Sequence, residues 1–535
     1  MSTPATLPPA LPGTGVEQTP LLETPDIGSM AEKGSASKGP SWPWSMWVSM
    51  QRRDTADQAG GAAGVGVQQE MASRREAART GIAEAGTSRA LLPSSYHARW
   101  PSLWSRTMRW MRPLWDIYFV VSLVVLYALP DPGPQGPSVW VFLKQYRSAF
   151  IWIPFVYRFF TGFLHWVLAL VIMPGSILYM PGPLVRWVPK SLQETINENN
   201  AARAKRRDEL LAATRGTPIR LITPDGVQLD AVYWAGRGVT RDGPTVVRLN
   251  GNAEAFELQD DILPMMYCTR GINVLLFNYR GVGGSSWTPV CGSAALGHVL
   301  GMWSMPAAAG LQLDAWTAVQ FLISHLQVPP EKVCVVGHSM GGAIAAKFLA
   351  GKRHLQMAMC SSRSFAYMSQ IAGQLAPLFL GVEQASRKGR FLTRLTGGLV
   401  VLSGWQHRCL DDFHKIGGNK WLEFSTADHI ISIDLSLAAA VRSCHMKTKL
   451  SSQQDEERGV CAELGHMQEG RGMLAGVKCV RLIGLDGMDN HNRLWMDEEI
   501  SIHVQLVQEA INATGADSEA AAQESEAPIP RPYAV

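Results

Sequence analysis

The run Gly337-His338-Ser339-Met340-Gly341 sets a serine between two glycines. A serine hydroxyl can attack an acyl carbon once a base takes its proton. G-x-S-x-G alone is a weak signal, because both residue types are common. Its flanks give it weight. Val333-Cys334-Val335-Val336 reads as a buried strand and Gly341 to Ala346 as the start of a helix, which together make the strand, sharp turn and helix of a nucleophile elbow. Gly337 and Gly341 leave room for the strained turn, so Ser339 is the expected nucleophile.

Such a serine needs an imidazole to remove its proton and a carboxylate to orient the imidazole. Downstream, Trp421-Leu422-Glu423-Phe424 reads as a strand, and Asp428 stands in the loop after it. Asp428 is the expected acid. Asp434, at an expected helix start, has an ordinary reading as an N-terminal helix charge and is the second choice. For the base, Val480 to Leu485 is again strand-like and His491 follows it in a loop. His466 has no strand before it, and His338 and His429 read as neighbours on the pocket rim. Acyl transfer also requires N–H donors aimed at the tetrahedral oxyanion. Met340, directly after the nucleophile, would supply one backbone amide. The loop Asn250-Gly251-Asn252-Ala253 would supply the other from Asn252, with Gly251 letting the backbone turn close to substrate.

These residues need strands to carry them. Ile219 to Ile222 and Val227 to Trp234 flank Thr223-Pro224-Asp225-Gly226, an antiparallel pair around a tight turn. Further strand-like runs lie at Thr245 to Leu249, Asn273 to Phe277, Val333 to Val336, Leu355 to Met359, Trp421 to Phe424 and Val480 to Leu485. Between them, Leu311 to Leu326 places Trp316, Val319, Ile323 and Leu326 at helical spacing, one buried stripe. Strands alternating with helices imply an α/β fold, a mostly parallel sheet with helices on both faces. No repeat period is evident.

With these pieces in order, the region from Thr217 to about Asn512 resembles the α/β-hydrolase superfamily. Asn250 to Glu257, Phe277-Asn278-Tyr279-Arg280-Gly281-Val282-Gly283-Gly284-Ser285, Gly337 to Gly342 and Gly404-Trp405 resemble the branch of chlamydial and legionella membrane-associated hydrolases. They are also similar to phosphatidylserine lipases and protein depalmitoylases with an N-terminal membrane attachment. The Tyr-Arg-Gly turn is a supporting mark of the family, not a catalytic site. Two features depart from the pattern: Asn250 stands where many members carry His, and a polar insertion lengthens the interval between Asp428 and His491.

The remaining chain divides by composition. Residues 1–96, rich in Pro, Gly, Ser, Ala and Thr, are expected to be disordered. Residues 97–190 are expected to be membrane-associated. Arg99, Arg106, Arg109 and Arg112 interleave with Trp100, Trp104, Trp110 and Trp115, a mixture suited to a headgroup layer. The apolar runs Ile117 to Leu129 and Phe160 to Met173 allow one or two inserted helices, with a re-entrant or interfacial arrangement and a soluble amphipathic extension as competitors. Residues 191–216 read as a polar linker helix, residues 217–512 as the hydrolase domain, and residues 513–535 as a disordered acidic tail. Within the domain a cap insertion is expected near 366–411 and the polar insertion near 445–475. Leu375, Leu378, Phe379, Leu380, Phe391, Leu399 and Leu402 in the cap could line an acyl pocket.

A formal net charge of +4 over 535 residues gives no electrostatic reason to expect a nucleic-acid partner. Eight scattered cysteines without a CxxC pair argue against structural zinc and a disulfide framework, and no metal or dissociable cofactor is required. The expected protein is a membrane-anchored serine hydrolase, its catalytic domain facing the cytosol. Its substrate would be a carboxylic ester or thioester of a lipid or an acylated protein. A non-catalytic membrane-tethered binding protein and an acyltransferase using the same triad are the alternatives.

Overall fold

The computed structural model describes residues 92–99, 189–252, 254–258, 262–289, 303–304, 306–425, 428, 430–451, 469–474, 477–485, 491 and 497–526, with single positions between 168 and 185. The membrane-associated segment expected over residues 97–190 therefore lies almost wholly outside the described residues, as does His466. Among the described residues no helix is long and apolar enough to cross a membrane.

The main sheet contains β1 (Ser95–His97), β2 (Thr217–Ile222), β3 (Gln228–Trp234), β4 (Thr245–Leu249), β5 (Asn273–Phe277), β6 (Val333–His338), β7 (Ala358–Ser362), β8 (Lys420–Ser425), β9 (Glu469–Leu474) and β10 (Val477–Leu485). Their spatial order is β1-β2-β3-β5-β4-β6-β7-β8-β10-β9. From β5 to β10 every neighbouring pair is parallel. β3 joins antiparallel to both β2 and β5, and β9 joins antiparallel to β10. The mostly parallel sheet expected from the sequence is what the chain builds. Its central strands are buried along their length except at the half-buried Arg248, as both-face coverage requires.

Two differences from the sequence reading have clear causes. The strand expected at Leu355 to Met359 instead runs Ala358–Ser362, because Arg353–Leu355 closes a tight turn and Gln356 takes a left-handed conformation. The polar end Cys360-Ser361-Ser362 stays in the strand, where the Ser362 carbonyl accepts the amide of Ser339 at 2.9 Å. β9 lies within the polar insertion and lacks an apolar alternation. An edge strand can form through backbone pairing alone.

Helices cover both faces. On one, α1 (Lys190–Thr214), α2 (Ile262–Thr269) and the C-terminal helix α9 (Asp497–Glu526) pack on Val246, Val274, Leu276, Cys334, Val336, Ala358, Cys360 and Trp421. α9 presents Ile500, Val504, Val507 and Ile511 at steps of three and four, and burying each such side chain is worth roughly 1.5–3 kcal/mol. The other face carries α3 (Ala308–Gln320) and α4 (Met340–Ala350). Between β7 and β8 lie the cap helices α5 (Met368–Phe379) and α6 (Arg387–Leu402), then the short α7 (Cys409–Phe413); α8 (Leu437–Ser451) follows β8.

The linker helix α1 is pinned to the domain by charge: Arg203 meets Glu257 at 2.6 Å and Arg207 meets Asp230 at 2.7 Å. At both ends, ordered structure extends into segments expected to lack it. Ser95–His97 pairs with β2, and α9 runs to Glu526, with buried Thr514 accepting from the Asn419 side chain at 3.0 Å. The Tyr-Arg-Gly turn is structural. Arg280 is buried between Asp225 and Asp314, at 2.9 and 2.7 Å, and so ties the first hairpin to α3.

Candidate active site

β6 delivers the chain to Ser339, which adopts φ +52° and ψ −117° before α4 begins at Met340. A positive φ at a residue with a side chain is strained, and the surrounding structure holds it there. A Cβ on Gly337 would lie 2.5 Å from Gly341, and one on Gly341 would lie 2.1 Å from the Leu249 carbonyl of β4. The two motif glycines are thus required by backbone contact. The turn lifts the Ser339 side chain clear at the carboxyl end of the parallel strands.

Asp428 stands just past β8 and His491 past β10. Asp428 Oδ1 accepts the amides of Ile430 at 2.9 Å and Ile431 at 2.8 Å, which fix the carboxylate. Asp428 Oδ2 lies 2.6 Å from His491 Nδ1, and His491 Nε2 lies 2.7 Å from Ser339 Oγ. All three side chains are buried. Burial pushes the Asp428 carboxyl up, but the hydrogen bond and charge of His491 and the two amides outweigh it, holding the group below its ordinary value. The long excursion between Asp428 and His491 does not prevent their meeting. Loop closure costs grow slowly with length.

Asp434, the second choice for the acid, is exposed in the first turn of a short helix, Ile433–Leu435. His338 packs its ring 5.1 Å from that of His491, with Nε2 3.4 Å from Glu254 Oε1. His429 lies outside the described residues.

Met340 opens α4, so its amide is one of the helix donors without an intrahelical acceptor. Asn252 sits in the turn after β4. That turn is braced at both ends. The Gly251 amide donates to Glu254 Oε2 at 2.6 Å, and the Asn250 side chain donates to the Phe277 carbonyl of β5 at 3.1 Å. Asn250 therefore anchors this loop to β5. A Cβ at Gly251 would come within 3.0 Å of the His338 ring, so the loop lies directly against the elbow.

Arg363 is a positioning residue that the sequence reading did not single out. Its backbone, at φ +48°, donates to the Glu423 carbonyl at 2.7 Å, and its Nη1 donates to the His491 carbonyl at 2.9 Å. It links β8 to the histidine's loop. An arginine between serines after a strand carries no sequence signal of such a task.

Among the described residues, Cys360, Glu423 and His503 form the one set with metal-ligand chemistry whose donor atoms converge, all within 4.8 Å and all buried. Both His503 nitrogens are engaged, Nδ1 by Glu423 Oε1 at 2.5 Å and Nε2 by the Tyr267 hydroxyl. The cluster is thereby a hydrogen-bonded network under the α9 face.

The family model described as the alpha/beta hydrolase family matches residues 251–442. That span contains Gly251, Asn252, the elbow and Asp428; His491 lies beyond it. Protein bem46 of Schizosaccharomyces pombe is 26% identical over 159 residues, covering 30% of this chain and 48% of that protein. The alpha/beta hydrolase domain-containing protein WAV2 of Arabidopsis thaliana is 25% identical over 159 residues, covering 30% and 46%. The chain thus spans about half the length of these curated relatives. Among solved structures, the Pyrococcus furiosus esterase Pf2001 aligns with 16% identity and a TM-score of 0.36, over 57% of this chain and 94% of that one. By its sheet order and its elbow the chain has the α/β-hydrolase fold, and its residues 251–442 match the alpha/beta hydrolase family model.

Proposed function

We propose that the chain hydrolyses a carboxylic ester or thioester through Ser339, His491 and Asp428, acting on a lipid or an acylated protein. The observation that carries this reading is the continuous chain of short contacts, 2.7 Å from Ser339 Oγ to His491 Nε2 and 2.6 Å from His491 Nδ1 to Asp428. The Ser339 proton passes to Nε2 as Oγ attacks the acyl carbon, and Asp428 stabilises the imidazolium. The amides of Met340 and Asn252 hold the oxyanion, a role in which losing one donor costs about a hundred- to a thousandfold in rate. His491 then returns the proton to the leaving alkoxide or thiolate, and a water activated by the same nitrogen releases the acyl group from Ser339.

The lipid side of the reading rests on the Arg- and Trp-rich segment and apolar runs before residue 190, which would tether the protein to a membrane with the catalytic domain on the cytosolic side. A fluorophosphonate probe should label the native chain rapidly at Ser339, and Ser339→Ala should remove both the labelling and turnover of a p-nitrophenyl ester. Retained labelling or turnover in that variant places the nucleophile elsewhere. An unreactive native chain supports a binding role instead. Rates on lysophospholipid, monoacylglycerol and thioester substrates would then rank the acyl donors.

A further inference from the structure

The cap is held together in an unusual way for a helical hairpin with so many large apolar residues. α5 and α6 approach through small residues: a Cβ on Gly373 would lie 2.7 Å from the Thr393 carbonyl, and one on Gly397 would lie 3.1 Å from that of Ser369. Gly389, near the start of α6, is pressed as closely against the Glu383 carbonyl of the connecting turn, at 2.1 Å. Close backbone contact brings the two helices together, Met368, Ile371 and Val400 are buried, and much of the remaining apolar surface is left outside. Of the seven large hydrophobic residues exposed among the described residues, Leu378, Leu380, Phe391, Leu395, Val401 and Leu402 lie on this hairpin, and Phe391 and Leu380 are 63% and 60% exposed. Leu378, Leu380, Phe391 and Leu402, expected to line an acyl pocket, instead face outward.

The same face is cationic. Arg387, Lys388, Arg390 and Arg394 are all exposed on α6, and the helix contains no acidic residue. Among the described residues none of the four is paired with a carboxylate, although Arg390 donates to the Ala385 carbonyl. Arg387, Phe391, Arg394, Leu395, Val401 and Leu402 recur at helical spacing, which brings cations and apolar side chains onto one side of a helix about 24 Å long. The hairpin's inner side touches the loop of the acid: Gln374 Nε2 lies 3.5 Å from Ser432 Oγ, just after Asp428 to Ile431.

We propose that the α5–α6 hairpin docks onto the surface of a bilayer containing anionic lipids. The exposed apolar side chains enter the acyl boundary while the four α6 cations meet headgroup phosphates. Apolar area and unpaired positive charge on one helix face are the two contributions that bind interfacial helices to anionic bilayers. A protein partner with an apolar groove would match the hydrophobic residues but gives no reason for four unpaired cations among them. The surface stands apart from the proposed hydrolysis, since Ser339→Ala protein should dock as the native chain does. It adds a second membrane contact, at the cap, to any made by the segment before residue 190.

The test is hydrogen–deuterium exchange on the full chain mixed with vesicles of phosphatidylcholine alone or of phosphatidylcholine and phosphatidylserine. This readout locates contact even if another segment also binds. Exchange across Arg387–Leu402 should slow with the anionic vesicles, and much less with the neutral ones. The protection should disappear in Arg387→Glu/Arg390→Glu/Arg394→Glu and, separately, in Phe391→Ser/Leu395→Ser/Leu402→Ser, with melting temperatures near the native value. Unchanged exchange in α6 while the chain floats with vesicles overturns the proposal. So does equal protection by both vesicle types, or protection that appears without vesicles and grows with protein concentration, which would assign the face to a second copy.

Discussion

Among the described residues, two buried imidazole–carboxylate couples share nearly the same geometry. His491 Nδ1 lies 2.6 Å from Asp428, and His503 Nδ1 lies 2.5 Å from Glu423. They part at the other ring nitrogen. His491 Nε2 faces Ser339 Oγ on a strained turn at the carboxyl end of the sheet, whereas His503 Nε2 faces the Tyr267 hydroxyl beneath α9. Burial drives the Tyr267 pKa well above its ordinary value, so that hydroxyl keeps its proton. The couple alone is therefore not a catalytic device. At the strand end the couple faces the proposed nucleophile; in the middle of a strand covered by a helix it is an internal brace.

The largest effects should separate the couples by readout. His491→Ala should lower kcat for a soluble p-nitrophenyl ester by about 10^5 to 10^6, as loss of a triad histidine does, with a melting temperature within a few degrees of native. His503→Ala should do the reverse, leaving kcat per folded molecule near native while lowering the melting temperature. Equal loss of turnover in the two would erase the distinction drawn between them. Next in size, Asp428→Asn should lower kcat by about 10^4, because the amide favours the wrong imidazole tautomer. Near-native turnover in that variant, measured beside Asp434→Asn, would remove Asp428 from the triad.

Within the second couple the measurable quantity is stability. Glu423→Gln keeps the shape but removes the charge facing His503 and should destabilise the domain by about 1.5–3 kcal/mol, the range for losing a hydrogen bond to a charged group. A shift in melting temperature of several degrees follows for a domain of this size. Esterase kcat measured at a temperature where both proteins are folded should change little. A large kcat loss without a stability change would instead mean that Glu423 acts on chemistry, through the Arg363 contacts that tie β8 to His491.

The contrast also separates what was legible in the sequence from what was not. The first couple could be read because each member follows a strand: Val333 to Val336, Trp421 to Phe424 and Val480 to Leu485 are apolar runs that place Ser339, Asp428 and His491 at their ends. Side-chain alternation along β8 likewise puts Trp421 and Glu423 on one face. Nothing local says that His503, on a helix far along the chain, closes over that face. Pairing between a strand position and a distant helix depends on how α9 crosses the sheet, and helical spacing identifies its buried stripe without its register. The same limit hid Arg363. The cap failed for a different reason. Leu378, Leu380, Phe391 and Leu402 are apolar and suggest a lining, but Gly373, Gly389 and Gly397 let the backbones close first and leave those side chains outside.

The smallest predicted effect tests whether Glu423 is ionised in the folded protein. Burial pushes its carboxyl up, but the charge and hydrogen bond of His503, together with the Trp421 donor, outweigh that and hold it below its ordinary value. A carboxylate depressed in this way contributes stability that is fully present above the unfolded value, 4.5, and is lost as pH falls through the folded one. Trp421 Nε1 donates to Glu423 Oε1 at 3.0 Å, and a hydrogen bond to a charged group is worth about 1.5 kcal/mol. Trp421→Phe should therefore lose about that much at neutral pH, plus a packing cost that does not depend on pH. As Glu423 takes up its proton below its ordinary pKa, the hydrogen-bond part of the deficit should shrink and the two unfolding curves should draw together. Denaturant titrations of native and variant protein from neutral pH down to the acid limit of folding would show this. A gap that stays constant across that range would mean that Trp421 acts by packing alone and that no buried negative charge faces His503.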